Sequence, residues 1–197
     1  MISLTRYKNT PLLGFAAFSG TGKTTLLEQL IPELNQASIH IAMVKHTHHE
    51  KFDIDKPGKD SYRLRKAGAD QMLVASAKRW ALMVEQSPAY RKQHPEPQLF
   101  ELLPHLDLQQ ADLVLVEGFK HEQISKIELH RPSLGKPLLY PQDPDIIAIA
   151  SDQADLTERY ALERSCPILD INNIAEIAGF ITTLVKDNDI SENQQSS

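Results

Sequence analysis

Residues 17 to 24 read Ala-Phe-Ser-Gly-Thr-Gly-Lys-Thr. Two glycines, a lysine and a hydroxyl at this spacing suit the holding of a polyanion on main-chain amides. Gly20 and Gly22 can take positive φ and let the backbone wrap closely around an anion. Successive N–H groups from Gly20 through Thr21, Gly22 and Lys23 to Thr24 then converge as a nest for a β-phosphate. The N-terminus of the helix that follows adds partial positive charge. Lys23 supplies a mobile ammonium for the β- and γ-phosphate oxygens. The Thr24 hydroxyl is the expected Mg²⁺ ligand, and Thr25 should reach the α-phosphate. The pattern is that of a P-loop, G-x-x-x-x-G-K-[ST], with Ala17 at the first glycine. That position sits at a strand end and needs only a small residue. The competing reading, a flexible Gly-Thr-Gly turn next to a lysine, leaves the flanking apolar strand and amphipathic helix unexplained.

A metal bound to a triphosphate takes one or two protein oxygens as well. The second acid should stand at the end of a strand beside the phosphate loop, where ligands bind in open α/β sheets. Leu113-Val-Leu-Val-Glu117-Gly118 supplies it. Glu117 stands where Asp is usual, and its plainer reading is a strand-end surface acid. Ser151-Asp152 follows a second apolar run, Ile146 to Ala150. A carboxylate there can accept from both N1–H and N2–H₂ of guanine, a donor pair that adenine lacks. A turn aspartate bonded to its own backbone fits the same position, and the residues alone leave both readings open.

Lys45-His46-Thr47-His48-His49, followed by Asp53, Asp55, Lys59 and Asp60, leaves a strand on the phosphate-loop side. It reads as a solvated polar loop, as a switch-like segment touching the γ-phosphate, or as imidazole ligands for a transition metal. Trp80 in an apolar strand pattern reads as core or interface. Arg63, Arg65 and Lys66 read as a solvated helix face. Cys166 is the only cysteine, which excludes an intramolecular disulfide and fits a reducing cytoplasm. Its plain reading is a small buried apolar residue.

These residues must be carried by a fold. Pro11 to Phe18 is a short apolar run and reads as a buried strand. Lys23 to Asn35 is a helix with Leu26, Leu27, Leu30 and Leu34 on one face, kinked or ended early by Pro32. Ile39 to Lys45 is a second strand, so the order predicts a parallel βαβ unit. A short helix capped by Asp60 or Ser61 should run to Ala67, with Gly68 as its stop. Met72 to Ala75 and Arg79 to Val84 form a hairpin about Ser76 to Lys78. Pro88 to Pro97 is expected as a surface loop, and Gln98 to His105 as a helix. Leu113 to Glu117 and Ile146 to Ala150 are buried strands, with Ile168 to Ile171 as a further one. Lys126 to His130 reads as an antiparallel or edge strand. Four prolines exclude regular structure over most of 131 to 145. A helix from Ile174 to about Lys186 closes the chain.

The whole is expected to be one nucleotide-binding domain over 1–187, followed by a disordered polar tail over 188–197. The fold class is α/β: a three-layer P-loop NTPase fold with a mostly parallel sheet, helices on both faces and a β-hairpin extension. At 197 residues, 41% hydrophobic and 24% charged, the composition is that of a soluble globular protein. The net charge of −5 gives no basic field of the kind a nucleic-acid binder carries. No run is long enough for a membrane span or a signal peptide.

Several segments in order resemble the MobB family of molybdenum-cofactor synthesis. They are Phe15 to Leu27, Val44 to His49, Asp53 to Tyr62, Leu64 to Ala69, Arg79 to Leu82, Leu115 to Glu122 and Ile147 to Asp152. The resemblance covers about the first 150 residues and leaves out the stretches at 85–97 and 131–145. It implies a homodimeric, cytoplasmic GTP-binding adapter with a P-loop α/β fold and weak intrinsic GTPase activity. The implied partner is MobA, the guanylyltransferase that joins molybdopterin to GMP from GTP and yields the guanine dinucleotide cofactor. Gly20, Thr21, Gly22, Lys23, Thr24 and Thr25 would hold the phosphates. Glu117 would lie near the Mg²⁺, and Asp152 near guanine.

Two other classes share the loop. A small-molecule kinase would use Asp53 or Asp60 as base, but its arginine-bearing lid finds only Arg91 in 85–97. A metallochaperone GTPase would use His46, His48 and His49 to deliver a metal. An adapter should hydrolyse slowly, because no water-positioning Gln or arginine finger stands out, and such parts are worth roughly 10³–10⁵ in rate.

Overall fold

The computed structural model describes residues 2–47, 54–156 and 166–193. In chain order its elements are β1 (Arg6–Tyr7), β2 (Thr10–Ala17), α1 (Lys23–Gln36), β3 (Ile41–Lys45), α2 (Asp60–Lys66), β4 (Gln71–Ala75), β5 (Trp80–Val84), α3 (Pro88–Gln93) and α4 (Leu99–Leu102). There follow β6 (Leu113–Glu117), β7 (Lys126–His130), β8 (Ile146–Ser151), β9 (Ile168–Asp170) and α5 (Ile174–Asn193). Short 3₁₀ turns stand at Leu103–His105, Leu108–Gln110 and Pro132–Leu134. The chain forms two compact units, Met1–His46 with Leu99–Ser197, and Thr47–Gln98.

The larger unit is built on a sheet in the order β3-β6-β2-β7-β8-β9, with β1 added antiparallel to β2. All the other pairings are parallel. The crossover from β2 through α1 to β3 therefore skips a strand, because β6 lies between them. The fold class read from sequence is the one observed. One face of the sheet packs Leu13, Phe15, Leu115, Ile127 and Leu129 against Leu26, Leu30 and Leu34 of α1 and Ile177 and Ile181 of α5. The other face packs Leu12, Val114, Val116 and Ile124 against Leu99, Leu103 and Phe119.

Helix α1 runs through Pro32 to Gln36 without ending early. A proline inside a helix costs about 3 kcal/mol, whereas each of the four buried leucines contributes roughly 1.5–3 kcal/mol. Burial prevails. The expected helix over Gln98 to His105 is split into α4 and a 3₁₀ turn, because Pro104 cannot donate to the helical ladder. The closing helix extends past Lys186 to Asn193.

One strand differs from expectation. β7 is neither antiparallel nor at an edge: it lies inside the sheet, parallel to both β2 and β8. Its alternation of polar and apolar residues suggests a solvated face, yet Lys126, Glu128 and His130 are all buried. The proline-rich segment after β7 supplies partners for the first two. Both Glu128 carboxylate oxygens accept backbone N–H groups, from Leu139 and Tyr140, each at 2.8 Å. Lys126 Nζ donates to Glu122 O at 2.8 Å and pairs with Asp143 at 2.8 Å. Lys126 also needs a bare neighbour, since a Cβ on Gly14 would come within 2.8 Å of its Cγ.

The smaller unit carries α2, the β4–β5 hairpin and α3. The hairpin turns with Ser76 N donating to Arg79 O at 2.9 Å, over the expected residues. Pro88–Gln93 is a helix where a loop was expected. Ser87 caps it by accepting from Tyr90 N at 3.1 Å, and Pro88 sits in the first turn, where its missing N–H costs nothing. Arg65 is not on a solvated face. Its side chain is 8% exposed, 3.9 Å from Asp55 and ion-paired with Glu85.

Candidate functional site

β2 is hydrogen-bonded on both sides, by β6 and β7, and so gives the loop at its end a firm root. Gly20 has φ +86° and Gly22 φ +95°. A Cβ at either would meet nothing within 4 Å, so conformation, not crowding, calls for glycine. Gly22 is the N-cap of α1 with no side-chain cap, and its carbonyl accepts the first helical bond from Leu26 N at 2.9 Å. The early amides of the helix are thereby left to an anion. Thr21 is buried, and its hydroxyl donates to Phe18 O at 2.8 Å, closing the turn. Thr24 and Thr25 are exposed.

Glu117 ends β6, the strand beside β2. Its Oε1 lies 3.9 Å from Lys23 Nζ and its Oε2 2.9 Å from Lys45 Nζ. Burial pushes the Lys23 ammonium below its usual pKa, and the neighbouring Glu117 carboxylate opposes that shift. A depressed pKa in a cationic group facing a carboxylate marks a place that would gain from a further anion. Gly118 then turns at φ +91°, where a Cβ would lie 2.9 Å from His46 Cβ. His46 N donates to Glu117 O at 2.8 Å, and its ring packs on Phe119 with centroids 5.3 Å apart.

Asp152 follows β8 at the same end of the sheet. Its Oδ2 accepts from Arg131 NH1 at 2.8 Å. Arg131 also donates from Nε to Thr21 O at 3.1 Å and from NH2 to Asn172 Oδ1 at 3.2 Å. One guanidinium thus joins the phosphate loop to Asp152. Neither Arg131 nor Asn172 stands out in the sequence, and Lys45 reads there only as part of a histidine segment. The signal for Arg131 is its place directly after a strand's C-terminal end.

Of the histidine and aspartate segment, His48, His49 and Asp53 lie outside the described residues. Asp55 accepts from Ser61 Oγ at 2.9 Å and braces the start of α2. Lys59 is the N-cap of α2, and Asp60 in its first turn lies 3.6 Å from Arg63. Cys166 is partly buried, its Sγ donating to Pro167 O at 3.6 Å. Among the described residues no helix is long and apolar enough to cross a membrane.

Against known proteins, residues 12–152 match the family model of molybdopterin guanine dinucleotide synthesis protein B. The chain is 49% identical over 172 residues to the molybdopterin-guanine dinucleotide biosynthesis adapter protein of Escherichia coli K12, covering 87% of this chain and 91% of that one. It is 46% identical over 173 residues to the Haemophilus influenzae protein of the same description, covering 87% of each. A crystal structure of molybdopterin-guanine biosynthesis protein B superposes with a TM-score of 0.64 at 22% identity, over 89% of this chain and 99% of that one. At that identity the likeness speaks for the fold.

Proposed function

This chain belongs to the MobB family of molybdopterin guanine dinucleotide synthesis proteins, and on that premise we propose that it is a GTP-binding adapter of molybdenum-cofactor biosynthesis. In this reading it assists a MobA-like guanylyltransferase that handles molybdopterin or its guanine dinucleotide, and its own GTPase activity is weak. The observation that carries the reading is the loop itself. Gly20 and Gly22 hold positive φ at the uncapped start of α1, with the Lys23 ammonium beside Glu117.

Gly20, Thr21, Gly22, Lys23, Thr24 and Thr25 would hold the phosphates. Mg²⁺ fits the donor set, because the Thr24 hydroxyl and Glu117 carboxylate are hard oxygens and the ion takes only one or two protein ligands beside phosphate and water. The bound ion would screen the phosphate charge. Asp152 would read guanine. The cytoplasm is the compartment that a lone cysteine fits. Homodimer formation finds support in the β4–β5 hairpin, where Leu73 is 60% and Trp80 63% exposed. Apolar surface of that kind marks an interface.

Calorimetric titration with Mg·GTP, Mg·ATP and the pterin, with and without the partner transferase, tests this reading. GTP should bind one per chain and more tightly than ATP, and Lys23→Ala should abolish binding. Equal affinity for ATP, or full GTP binding by Lys23→Ala, sinks it.

A further inference from the structure

β7, β8 and β9 end level with one another. The register pairs His130 with Ser151 and Ser151 with Asp170. The residues that step off this edge are Arg131, Asp152 and the turn Ile171-Asn172. That turn is stiff. Ile171 N donates to Ser151 O at 3.0 Å, Asn172 N to Asp170 Oδ1 at 2.9 Å, and Glu176 N to Asn173 Oδ1 at 3.2 Å. Asn172 is exposed at the sheet's ligand-binding end, in the same guanidinium fork that holds Asp152 and the phosphate loop.

Arg131 has only donors to offer, so the Asn172 carbonyl oxygen must face it. The amide NH₂ is then presented as a donor. Guanine carries an acceptor, O6, where adenine carries the donor N6–H₂. A fixed amide donor beside a carboxylate thus matches guanine twice, Asp152 taking N1–H and N2–H₂ and Asn172 giving to O6.

We infer that Asn172 is a second base-reading residue of the nucleotide site, donating to the 6-oxo oxygen, and that Arg131 is the positioning residue that sets Asn172 and Asp152 in register with the phosphate loop. This rests on the proposal that the loop binds GTP. Asn172→Asp keeps the bond to Arg131 but turns the donor into an acceptor, so it changes the reading without removing the side chain.

Competition titrations with GTP, ATP, 6-thio-GTP and tripolyphosphate on the full chain test it. In Asn172→Asp the GTP affinity should fall about tenfold and the ATP affinity should not, while tripolyphosphate changes by less than about twofold. Wild type should bind 6-thio-GTP, a poorer acceptor at position 6, more weakly than GTP, and Asn172→Ala should bind the two alike. Arg131→Gln should lower the GTP-to-ATP ratio by more than it lowers tripolyphosphate affinity, an asymmetry that a general loosening of the loop does not produce. Asp152→Asn is the reference. If it removes the GTP preference while Asn172→Asp and Arg131→Gln keep it, the inference is overturned and the GTP reading stands. If Asp152→Asn keeps the preference, the base reading fails and takes the inference with it.

Discussion

Lys45 Nζ and Glu117 Oε2 lie 2.9 Å apart at the ends of two strands whose register pairs these residues directly. The carboxylate is thereby shared between two ammonium groups, with Lys23 on its other oxygen at 3.9 Å. In the proposed reading, a carboxylate so placed would meet a cation carried in with the nucleotide.

Glu117→Gln keeps the size of the side chain and a carbonyl for Lys45 but loses the charge. Nucleotide affinity in excess Mg²⁺ should drop about tenfold or more. In EDTA it should hold or rise, since a negative charge next to the phosphates has gone. Titrations of nucleotide with and without Mg²⁺ read this directly, and an unchanged metal dependence would exclude Glu117 from the metal site.

Gly118→Ala should destabilise the protein by about 1–3 kcal/mol. The residue holds φ +91°, and a Cβ would meet His46 Cβ at 2.9 Å and His46 O at 3.0 Å. Urea unfolding of variant and wild type measures the loss. Because His46 follows Lys45, the same change should also disturb the Lys45–Glu117 pair and weaken nucleotide binding.

Glu128 gives a pH dependence. Burial raises its pKa from the ordinary 4.5 to about 7, against the pull of the Leu139 and Tyr140 N–H groups. The folded state therefore binds this proton more tightly than the unfolded chain. The stability that goes with it is complete below about pH 4.5 and is lost as pH rises through about 7. The Glu128 part of the urea midpoint should fall between about pH 4.5 and pH 7, and the fall should vanish in Glu128→Gln. That variant should be less stable than wild type at about pH 5, since its NH₂, which can only donate, would face one of the two backbone N–H donors.

Trp80→Arg tests the hairpin as an interface. The side chain is 63% exposed within the chain, so the substitution should cost the isolated fold less than about 0.5 kcal/mol. Sedimentation should show the proposed homodimer shifting to monomer. A dimer that persists unweakened would move the interface elsewhere.

How much of the molecule is legible in the sequence follows from range. The phosphate loop and α1 are legible because their signals are local: Gly20, Gly22 and Lys23 followed by leucines at helical spacing. The hairpin about Ser76 is legible for the same reason. The place of β7 is hidden because the partners that allow Glu128 and Lys126 to be buried, Leu139, Tyr140 and Asp143, lie beyond the strand in a stretch with no periodic pattern. α3 is hidden by the three prolines around it, although Ser87-Pro88 is a start signal in its own right. Arg131, Asp152 and Asn172 meet only once three strands are laid side by side, so no spacing along the chain announces them.

The clamp of Glu128 on Leu139 and Tyr140 separates irregularity from motion. The excursion from Arg131 to Asp145 leaves β7 and is fastened back to that strand by two main-chain N–H groups and by the Lys126–Asp143 pair. Those two amides should exchange with solvent as slowly as a strand's. The prolines on either side of them, Pro137 and Pro141, leave the segment few other shapes to visit, so the residue at its root, Arg131, is presented by a rigid bracket.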